Sequence, residues 1–200
     1  MKLYYSPGAC SLSPHIALCE AGLAHELIKV DLKTKKTELG DDFYATNPKG
    51  YVPALQLDGG EVLTEGPAII QYLADLVPAT GLAPAAGTLA RVRLQEWLNF
   101  IATELHKGFS PLFRNPPAEW KETVRAGLAG RLAYLAPMLE RQPYLMGDAF
   151  SVADAYLFTI LNWAKWVKLD LAPWPALGAY LARVAARPGV QKALKTEGLL

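Results

Sequence analysis

The chain has 200 residues and a formal net charge of +1, from 20 basic and 19 acidic side chains. Hydrophobic residues make up 52% of it, enough for a substantial core, so disorder is excluded. The balanced charge gives no sign of a nucleic-acid or membrane partner, and we expect a small molecule or another protein as ligand.

Two further features bear on where the protein works. No run of about 18 apolar residues is present, which predicts a soluble protein. The two cysteines, Cys10 and Cys19, would lie roughly 13 Å apart on one helix, too far for a disulfide. The N-terminus is a poor signal peptide, so the sequence favours a reducing, cytoplasmic compartment.

Residues 1–78 alternate strand-like and helix-like segments. In chain order the patterns predict a strand at 3–6, a helix at 11–21, a strand in "HELIKVDL", a weak helix near 38–46, a hairpin in "VPALQLDGGEVLT" and a helix in "GPAIIQYLADLVP". This order, βαβαββα, predicts an α/β domain with a small mixed sheet whose last hairpin is antiparallel.

Residues 78–88, rich in Pro, Gly and Ala, predict a linker, and 88–200 reads as an all-α helical domain. Ser151 and Asp154 have the spacing of a capping box, which opens a helix that is apolar nearly all round and therefore buried. Pro137 is expected to kink or end the helix that precedes it.

Cys10 is the main candidate for chemistry, because it lies where the first strand turns into the first helix in "LYYSPGACSLSPHIAL". The amide groups and dipole at a helix N-terminus favour the thiolate, which is the nucleophilic form. Cys10-Ser-Leu-Ser13 has no second thiol, so any disulfide would form with an external thiol. The alternative is a small apolar filler; Tyr5 or Ser11 could instead hydrogen-bond a ligand's thiolate, and Cys19 is expected to be core filler.

Two further motifs point to ligand binding in the first domain. In "GYVPALQL" a cis Pro53 would leave the backbone of Val52 free to pair with an extended, peptide-like ligand, the alternative being an ordinary edge-strand proline. In "TEGPAI" a helix opening at Gly66 offers amide groups to an anion, and Glu65 adds a negative charge beside it. That pairing suits the amino-acid end of a ligand.

On the first long helix of the second half, Asn99, Thr103 and His106 follow the spacing i, i+4, i+7 and share one face. Glu104 and Lys107 flank them. A solvated face is the alternative, although Asn, Thr and His are unusual choices for one. The other histidines, His15 and His25, show no obvious partner, and the sequence shows no metal-ligand spacing.

Taken together, these motifs make the chain resemble a bacterial beta-class glutathione S-transferase from end to end. The likeness is carried by "YYSPGACSLSPHIAL", "NPKGYVPAL", "LTEGPAIIQYLAD", "WLNFIATELHKGFSPLF" and "FSVADAYLF". It implies a thioredoxin-like domain followed by a helical domain, a homodimer, and reduced glutathione as co-substrate without a metal.

The resemblance also implies roles for particular residues. Cys10 would lie next to the glutathione sulfur, with His106 near it, and Val52 before a cis Pro53 would pair with the cysteinyl backbone. Glu65 and the amide of Gly66 would hold the γ-glutamyl end, and Lys35 would lie near the glycyl carboxylate. The residues implied to border the site from the helical domain, some of them across the dimer, are Asn99, Thr103, Glu104, Leu105 and His106.

One position departs from the pattern: many relatives in the wider superfamily have serine where this chain has Gly66, so a hydroxyl contact is lost, and Pro67 removes the next amide donor. We expect the glutathione thiolate to attack small hydrophobic electrophiles in an apolar pocket lined by aromatic side chains, or those side chains to be core: Phe109, Phe113, Tyr156, Trp163 and Trp166. The alternatives are glutaredoxin-like disulfide exchange or peroxide reduction through Cys10 as the main activity, and a non-catalytic glutathione-gated carrier. The sequence leaves the electrophile open.

Overall fold

The computed structural model describes all 200 residues and divides them into two compact units. Unit 1 consists of Met1–Leu82 together with Arg187–Leu200, and unit 2 is Ala83–Ala186. The sequence assigned 88–200 to a single helical domain. In the structure the last fourteen residues of that range pack with unit 1 instead, because their helix lies against the first helix of the chain.

Unit 1 is built on a five-stranded mixed sheet with the order β3-β2-β1-β4-β5. The strands are β1 (Lys2–Tyr5), β2 (Glu26–Asp31), β3 (Lys36–Thr37), β4 (Ala54–Gln56) and β5 (Val62–Thr64). Only β1 and β2 are parallel, and the last two strands form the predicted antiparallel hairpin. The predicted α/β order is confirmed, with β3 as a two-residue addition.

Four helices accompany the sheet: α1 (Leu12–Glu20), α2 (Phe43–Thr46), α3 (Gly66–Leu76) and, at the end of the chain, α10 (Pro188–Thr196). The helix α1 packs against both α3 and α10. It ends before Gly22, whose φ of 66° is a left-handed conformation that glycine adopts without strain. Because β1 and α1 are both packed into the core of unit 1, the turn that joins them is held in a fixed position.

Unit 2 is all-helical, as predicted. Its helices are α4 (Leu89–Phe100), α5 (Lys107–Phe109), α6 (Ala118–Arg141), α7 (Val152–Leu161), α8 (Trp163–Trp166) and α9 (Pro175–Ala185). A π-helical segment, Ile101–His106, joins α4 to α5. The helix α6 continues through Pro137 to Arg141, so of the two effects expected of this proline, ending the helix does not occur. None of the helices combines the length and the apolar character needed to cross a membrane.

The capping box at Ser151 and Asp154 is present and starts α7, all of whose residues are buried. The Asp154 carboxylate accepts hydrogen bonds from the amides of Leu145 and Ser151 and from the hydroxyls of Ser151 and Tyr180, at 2.8–3.1 Å. Burial raises the pKa of Asp154, while these hydrogen bonds act in the opposite direction. The carboxylate therefore connects the start of α7 to the preceding loop and to α9.

Candidate functional site

Cys10 lies in the turn between β1 and α1, half-buried rather than fully enclosed. Its thiol donates a hydrogen bond to the carbonyl oxygen of Val52, with 3.2 Å between Sγ and O. Backbone bonds from Ala9 to Ser6 and from Leu12 to Ala9 fix the turn. The thiol is thus held next to the segment that the sequence predicted to pair with a ligand.

The two alternative groups in unit 1 are less accessible than Cys10. The hydroxyl of Ser11, which is fully buried, donates to the carbonyl of Ser6 and accepts from its amide. Tyr5 is 9% exposed, its ring faces His15, and burial raises its pKa, which makes the phenol a weaker acid. Of the three candidate residues, Cys10 is therefore the most exposed.

The peptide bond between Val52 and Pro53 is cis. Two side chains hold the segment before it: the amide of Asn47 donates to the carbonyl of Tyr51, and the ammonium of Lys35 donates to the carbonyl of Gly50, at 2.7 and 2.9 Å. The backbone of Val52 precedes the β4 ladder, which begins at Ala54. The segment is thus held in place by side chains, while the amide of Val52 takes no part in the hydrogen bonds of the sheet.

The start of α3 lies beside this segment. A Cβ atom placed on Gly66 would be 3.8 Å from Cγ of Pro53 and 3.9 Å from Oγ of Ser13, so helix start, cis-proline and Cys10 turn are neighbours. Glu65 precedes α3 with a left-handed φ of 67°, which is uncommon for a residue other than glycine. Its exposed carboxylate forms an ion pair with Lys49 at 2.6 Å. Together these groups place helix amides, one carboxylate and one ammonium at one edge of the sheet.

The sequence analysis assigned no role to Lys49, although this residue stands in the motif "NPKG", part of the stretch that carries the resemblance. Its ammonium also donates to the hydroxyl of Thr64, so it connects the loop before the cis-proline to the end of β5. No local pattern could have paired a lysine with a carboxylate sixteen residues away.

In unit 2 four of the five predicted aromatic residues form a cluster with His106, and Trp166 is the exception. Nδ1 of His106 lies 2.7 Å from the hydroxyl of Tyr156, and its ring is edge-on to Trp163 with the centroids 4.9 Å apart. Phe109 and Phe113 also contact Trp163. Phe109, Tyr156 and Trp163 are buried and belong to the core, whereas Phe113 and Trp166 are about half exposed. The sequence offered either a lining role or core packing for the five, and burial favours core packing for the first three.

The stripe predicted on the helix before His106 is altered by the π-helical segment. Its wider turn shifts side chains out of the α-helical register, and such segments occur often at functional sites. Thr103 donates to the carbonyl of Asn99, and Glu104 forms an ion pair with Arg131 at 2.9 Å. Leu105 is fully buried, so its side chain packs in the core of unit 2.

Unit 2 also contains a surface cavity of about 510 Å³, which sequence reasoning did not anticipate. None of the five predicted aromatic residues lines it. Its walls come from Lys107, Ser110, Pro111, Arg114, Pro116 and Trp120.

A second feature that the sequence missed is a buried pair in unit 1. Nδ1 of His15 lies 2.8 Å from Oε1 of Glu197, and both side chains are almost completely buried. The other oxygen of Glu197 accepts from the amide of Gly8 at 2.8 Å. His15 therefore does have a partner, but one that is 182 positions away.

Comparison with known proteins agrees with this geometry. Residues 8–76 match the glutathione S-transferase N-terminal domain, and residues 100–188 match the glutathione S-transferase C-terminal domain. The chain is 54% identical to glutathione S-transferase GstA of Escherichia coli O157:H7 over 200 residues, all of both chains.

Two solved structures cover all of this chain and are themselves covered fully. A sphingomonad glutathione S-transferase in complex with glutathione has a TM-score of 0.94 and 53% identity. A bacterial beta-class enzyme from Sphingomonas chungbukensis has a TM-score of 0.96 and 51% identity. The chain belongs to the glutathione S-transferase family, with bacterial beta-class enzymes among its structural neighbours. It is a transferase with a thioredoxin-like N-terminal domain and glutathione as co-substrate.

Proposed function

We propose that unit 1 binds reduced glutathione with its sulfur next to Cys10. The observation that supports this most strongly is that the Cys10 thiol is hydrogen-bonded to Val52, next to the cis bond, and that a Cβ on Gly66 at the start of α3 would lie 3.8 Å from Pro53. The backbone of Val52 would pair with the cysteinyl unit of glutathione, as an added strand pairs with a sheet edge. The amide of Gly66 would hold the γ-glutamyl carboxylate and Glu65 its ammonium group.

Lys35 and Lys49 are the cations near this edge. Lys35 is held half-buried against the carbonyl of Gly50, and we assign it to the glycyl carboxylate of glutathione. Lys49, paired with Glu65, keeps that carboxylate in place for the ammonium group of the γ-glutamyl end. Because Glu65 is exposed, its ion pair with Lys49 would contribute little to the affinity for glutathione. The hydrogen bonds between Glu65 and the ligand would contribute more.

Two reactions then follow for the bound sulfur. In conjugation, the glutathione thiolate attacks an electrophilic carbon, forming a C–S bond while the leaving group departs with the electron pair. In exchange, the Cys10 thiolate attacks a glutathione disulfide, which forms a Cys10–glutathione disulfide and releases one glutathione thiolate; a second glutathione thiolate then restores Cys10 and leaves as oxidised glutathione. We propose exchange as a second activity, since Cys10 is a partly exposed free thiol in the turn before α1.

We assign the electrophile to small apolar compounds. The exposed ring of Phe113, which packs on Trp163 in the His106 cluster, offers a surface for such a compound, and the imidazole of His106 lies in the same cluster. Replacing Phe113 by alanine should raise the KM for an aryl-halide electrophile and leave the KM for glutathione unchanged. Leu89→Ala, a similarly exposed position on α4, serves as the control and should change neither.

We also propose a cytoplasmic homodimer. Both cysteines are free thiols, in keeping with a reducing compartment. Light scattering on the purified protein should give twice the mass of 21.8 kDa, and a monomer would contradict the proposal.

The decisive test of the Cys10 role is the intact mass of the protein after incubation with oxidised glutathione. We expect one glutathione adduct per chain that a reductant removes and that peptide mapping places on Cys10. Cys10→Ala should abolish the adduct, whereas Cys19→Ala should keep it, since burial raises the pKa of Cys19 and lowers its reactivity. An adduct that is absent from wild type, or that survives Cys10→Ala, would contradict the exchange mechanism.

A further inference from the structure

The N-terminal part of unit 1 brings together three side chains with metal-binding chemistry. His15 and Cys19 are one helical turn apart on α1, and His25 lies just before β2. One ligand atom from each of the three lies within 4.8 Å of the others. The sequence showed no metal-ligand spacing among the histidines and cysteines along the chain. In the structure the third residue, His25, comes from outside α1 and is brought close by the fold.

We propose that His15, Cys19 and His25 form a binding site for a divalent transition-metal ion such as Zn²⁺. Imidazole nitrogen and thiolate sulfur are both ligands of zinc, and Co²⁺ binds the same groups as a spectroscopic substitute. With three protein ligands, the fourth position is left to water. The proposal does not depend on the glutathione site, which involves the other cysteine.

The hydrogen bonds of both histidines determine which nitrogen faces the ion. Nδ1 of His25 lies 2.8 Å from the carbonyl oxygen of Leu23, an atom that only accepts, so Nδ1 carries the proton. Nδ1 of His15 lies at the same distance from the Glu197 carboxylate, which fixes the same tautomer. In both rings this leaves Nε2 as the nitrogen that is available to an ion.

Glu197 completes the pattern expected around a metal-binding histidine. Such histidines usually donate their second N–H to a carboxylate or a backbone carbonyl, which orients the ring and strengthens its basicity. Here His15 has the carboxylate and His25 has the carbonyl. Glu197 is itself held by the amide of Gly8, so the supporting shell is rigid before any ion binds.

Burial and spacing are compatible with binding. His15 is 1% exposed, whereas Cys19 and His25 are partly exposed, so an ion can enter from that side. In tetrahedral geometry two nitrogens and one sulfur lie roughly 3.3–3.6 Å apart, since zinc bonds are about 2.0–2.3 Å long. The ligand atoms, now within 4.8 Å of one another, would move closer together when an ion binds. The charge of Lys192, on α10, acts on both Cys19 and His25 and opposes the cation.

The test uses full-length protein, stripped with a chelator, and Co²⁺ as the probe. We expect one ion per chain, with the charge-transfer band of a cobalt–thiolate bond and the visible bands of a tetrahedral ion; Zn²⁺ should displace both. Cys19→Ser should remove the charge-transfer band, and His25→Gln should weaken binding at least tenfold. Cys10→Ser is the matched control and should leave the spectrum unchanged.

Two further arms separate binding from folding. Glu197→Asp, which keeps a carboxylate but shortens its reach, should weaken Co²⁺ binding about tenfold or more. Zn²⁺ should raise the thermal midpoint of the wild type and not that of the Cys19→Ser, His25→Gln double variant, with circular dichroism showing that the variant is folded. No thiolate band in wild type, or a band lost in Cys10→Ser rather than Cys19→Ser, would overturn the proposal.

Discussion

Gly66 opens α3 at the point where we place the γ-glutamyl carboxylate of glutathione. Its φ lies outside the left-handed region, and a Cβ there would make only ordinary contacts at 3.8 and 3.9 Å. A serine therefore fits, and its hydroxyl adds a donor to the carboxylate. We predict that Gly66→Ser tightens glutathione binding about fivefold, because such a hydrogen bond contributes about 1 kcal/mol. Isothermal titration with reduced glutathione measures this.

Gly66→Ala is the matched control, since it adds the Cβ without the hydroxyl. It should bind glutathione as the wild type does. If serine and alanine give the same affinity, the hydroxyl does not reach the ligand and the assignment of the γ-glutamyl end to this helix start is wrong. Weaker binding in both variants would instead show that the ligand backbone needs the space that glycine leaves.

At the scale of single residues, local sequence signals located the candidate residue Cys10, but they could not predict which side chains contact each other. Cys10 was identifiable because a strand, a Pro-Gly break and a helix start are all local signals. Ser11 was an open alternative, since nothing local showed that its hydroxyl makes two hydrogen bonds to the backbone of Ser6, one to the amide and one to the carbonyl. Cys19 was interpreted as core filler because its neighbours in the helix are apolar. The sequence alone does not show that the fold places two histidines beside it.

The helix α7 depends on one side chain at its start. Asp154 accepts four hydrogen bonds through two oxygens, and it is fully buried. Asp154→Asn replaces one acceptor oxygen with an amide group that faces donors. We predict a loss of about 2–4 kcal/mol in the free energy of unfolding, because unsatisfied buried donors cost about 1–3 kcal/mol each. Urea denaturation monitored by circular dichroism measures it.

Asp42→Asn is the comparison for this substitution. Asp42 caps α2 by accepting from the amide of Tyr44, but it is exposed, and asparagine caps a helix about as well as aspartate. Its effect should stay below about 1 kcal/mol. Equal losses at the two positions would mean that burial of the Asp154 network adds nothing to ordinary capping.

Among the elements, those with local signals were predictable and those that depend on packing were not. The capping box of α7 and the hairpin around Asp58-Gly-Gly60 are specified by neighbouring residues. The strand β3 has two residues and exists only because β2 offers it an edge. The π-helical segment at 101–106 and the continuation of α6 through Pro137 are outcomes of packing in unit 2, for which the sequence has no marker.

At the scale of the whole molecule, the chain leaves unit 1 after Leu82 and returns to it at Arg187. The returning helix α10 packs on α1, and Glu197 just beyond it reaches two elements at once. Its carboxylate joins His15 in α1 to the amide of Gly8, in the turn that leads to Cys10. No sequence pattern pairs residues so far apart, which is why a linear division into 1–78 and 88–200 placed this segment in the helical domain.

Because Glu197 joins the returning segment to His15 and Gly8, the substitution Glu197→Gln should destabilise unit 1. Glutamine can accept one of the two hydrogen bonds but presents an NH₂ group to the other donor, in a place where the side chain is fully buried. We predict a loss of about 2–4 kcal/mol in the free energy of unfolding, measured in urea with a probe that reports on unit 1. Glu26→Gln, which breaks the exposed ion pair with Lys2, should cost less than about 1 kcal/mol.

A double-mutant cycle distinguishes this pair from general damage to the core. If His15 and Glu197 stabilise unit 1 through each other, His15→Gln and Glu197→Gln together should cost less than the sum of the two single losses, by about 0.5–3 kcal/mol. Additive losses would show that the buried pair is not an energetic unit. In that case α10 would hold unit 1 through the apolar contacts of Val190, Ala193 and Leu194 with their neighbours, and the carboxylate would matter only for the turn that carries Cys10.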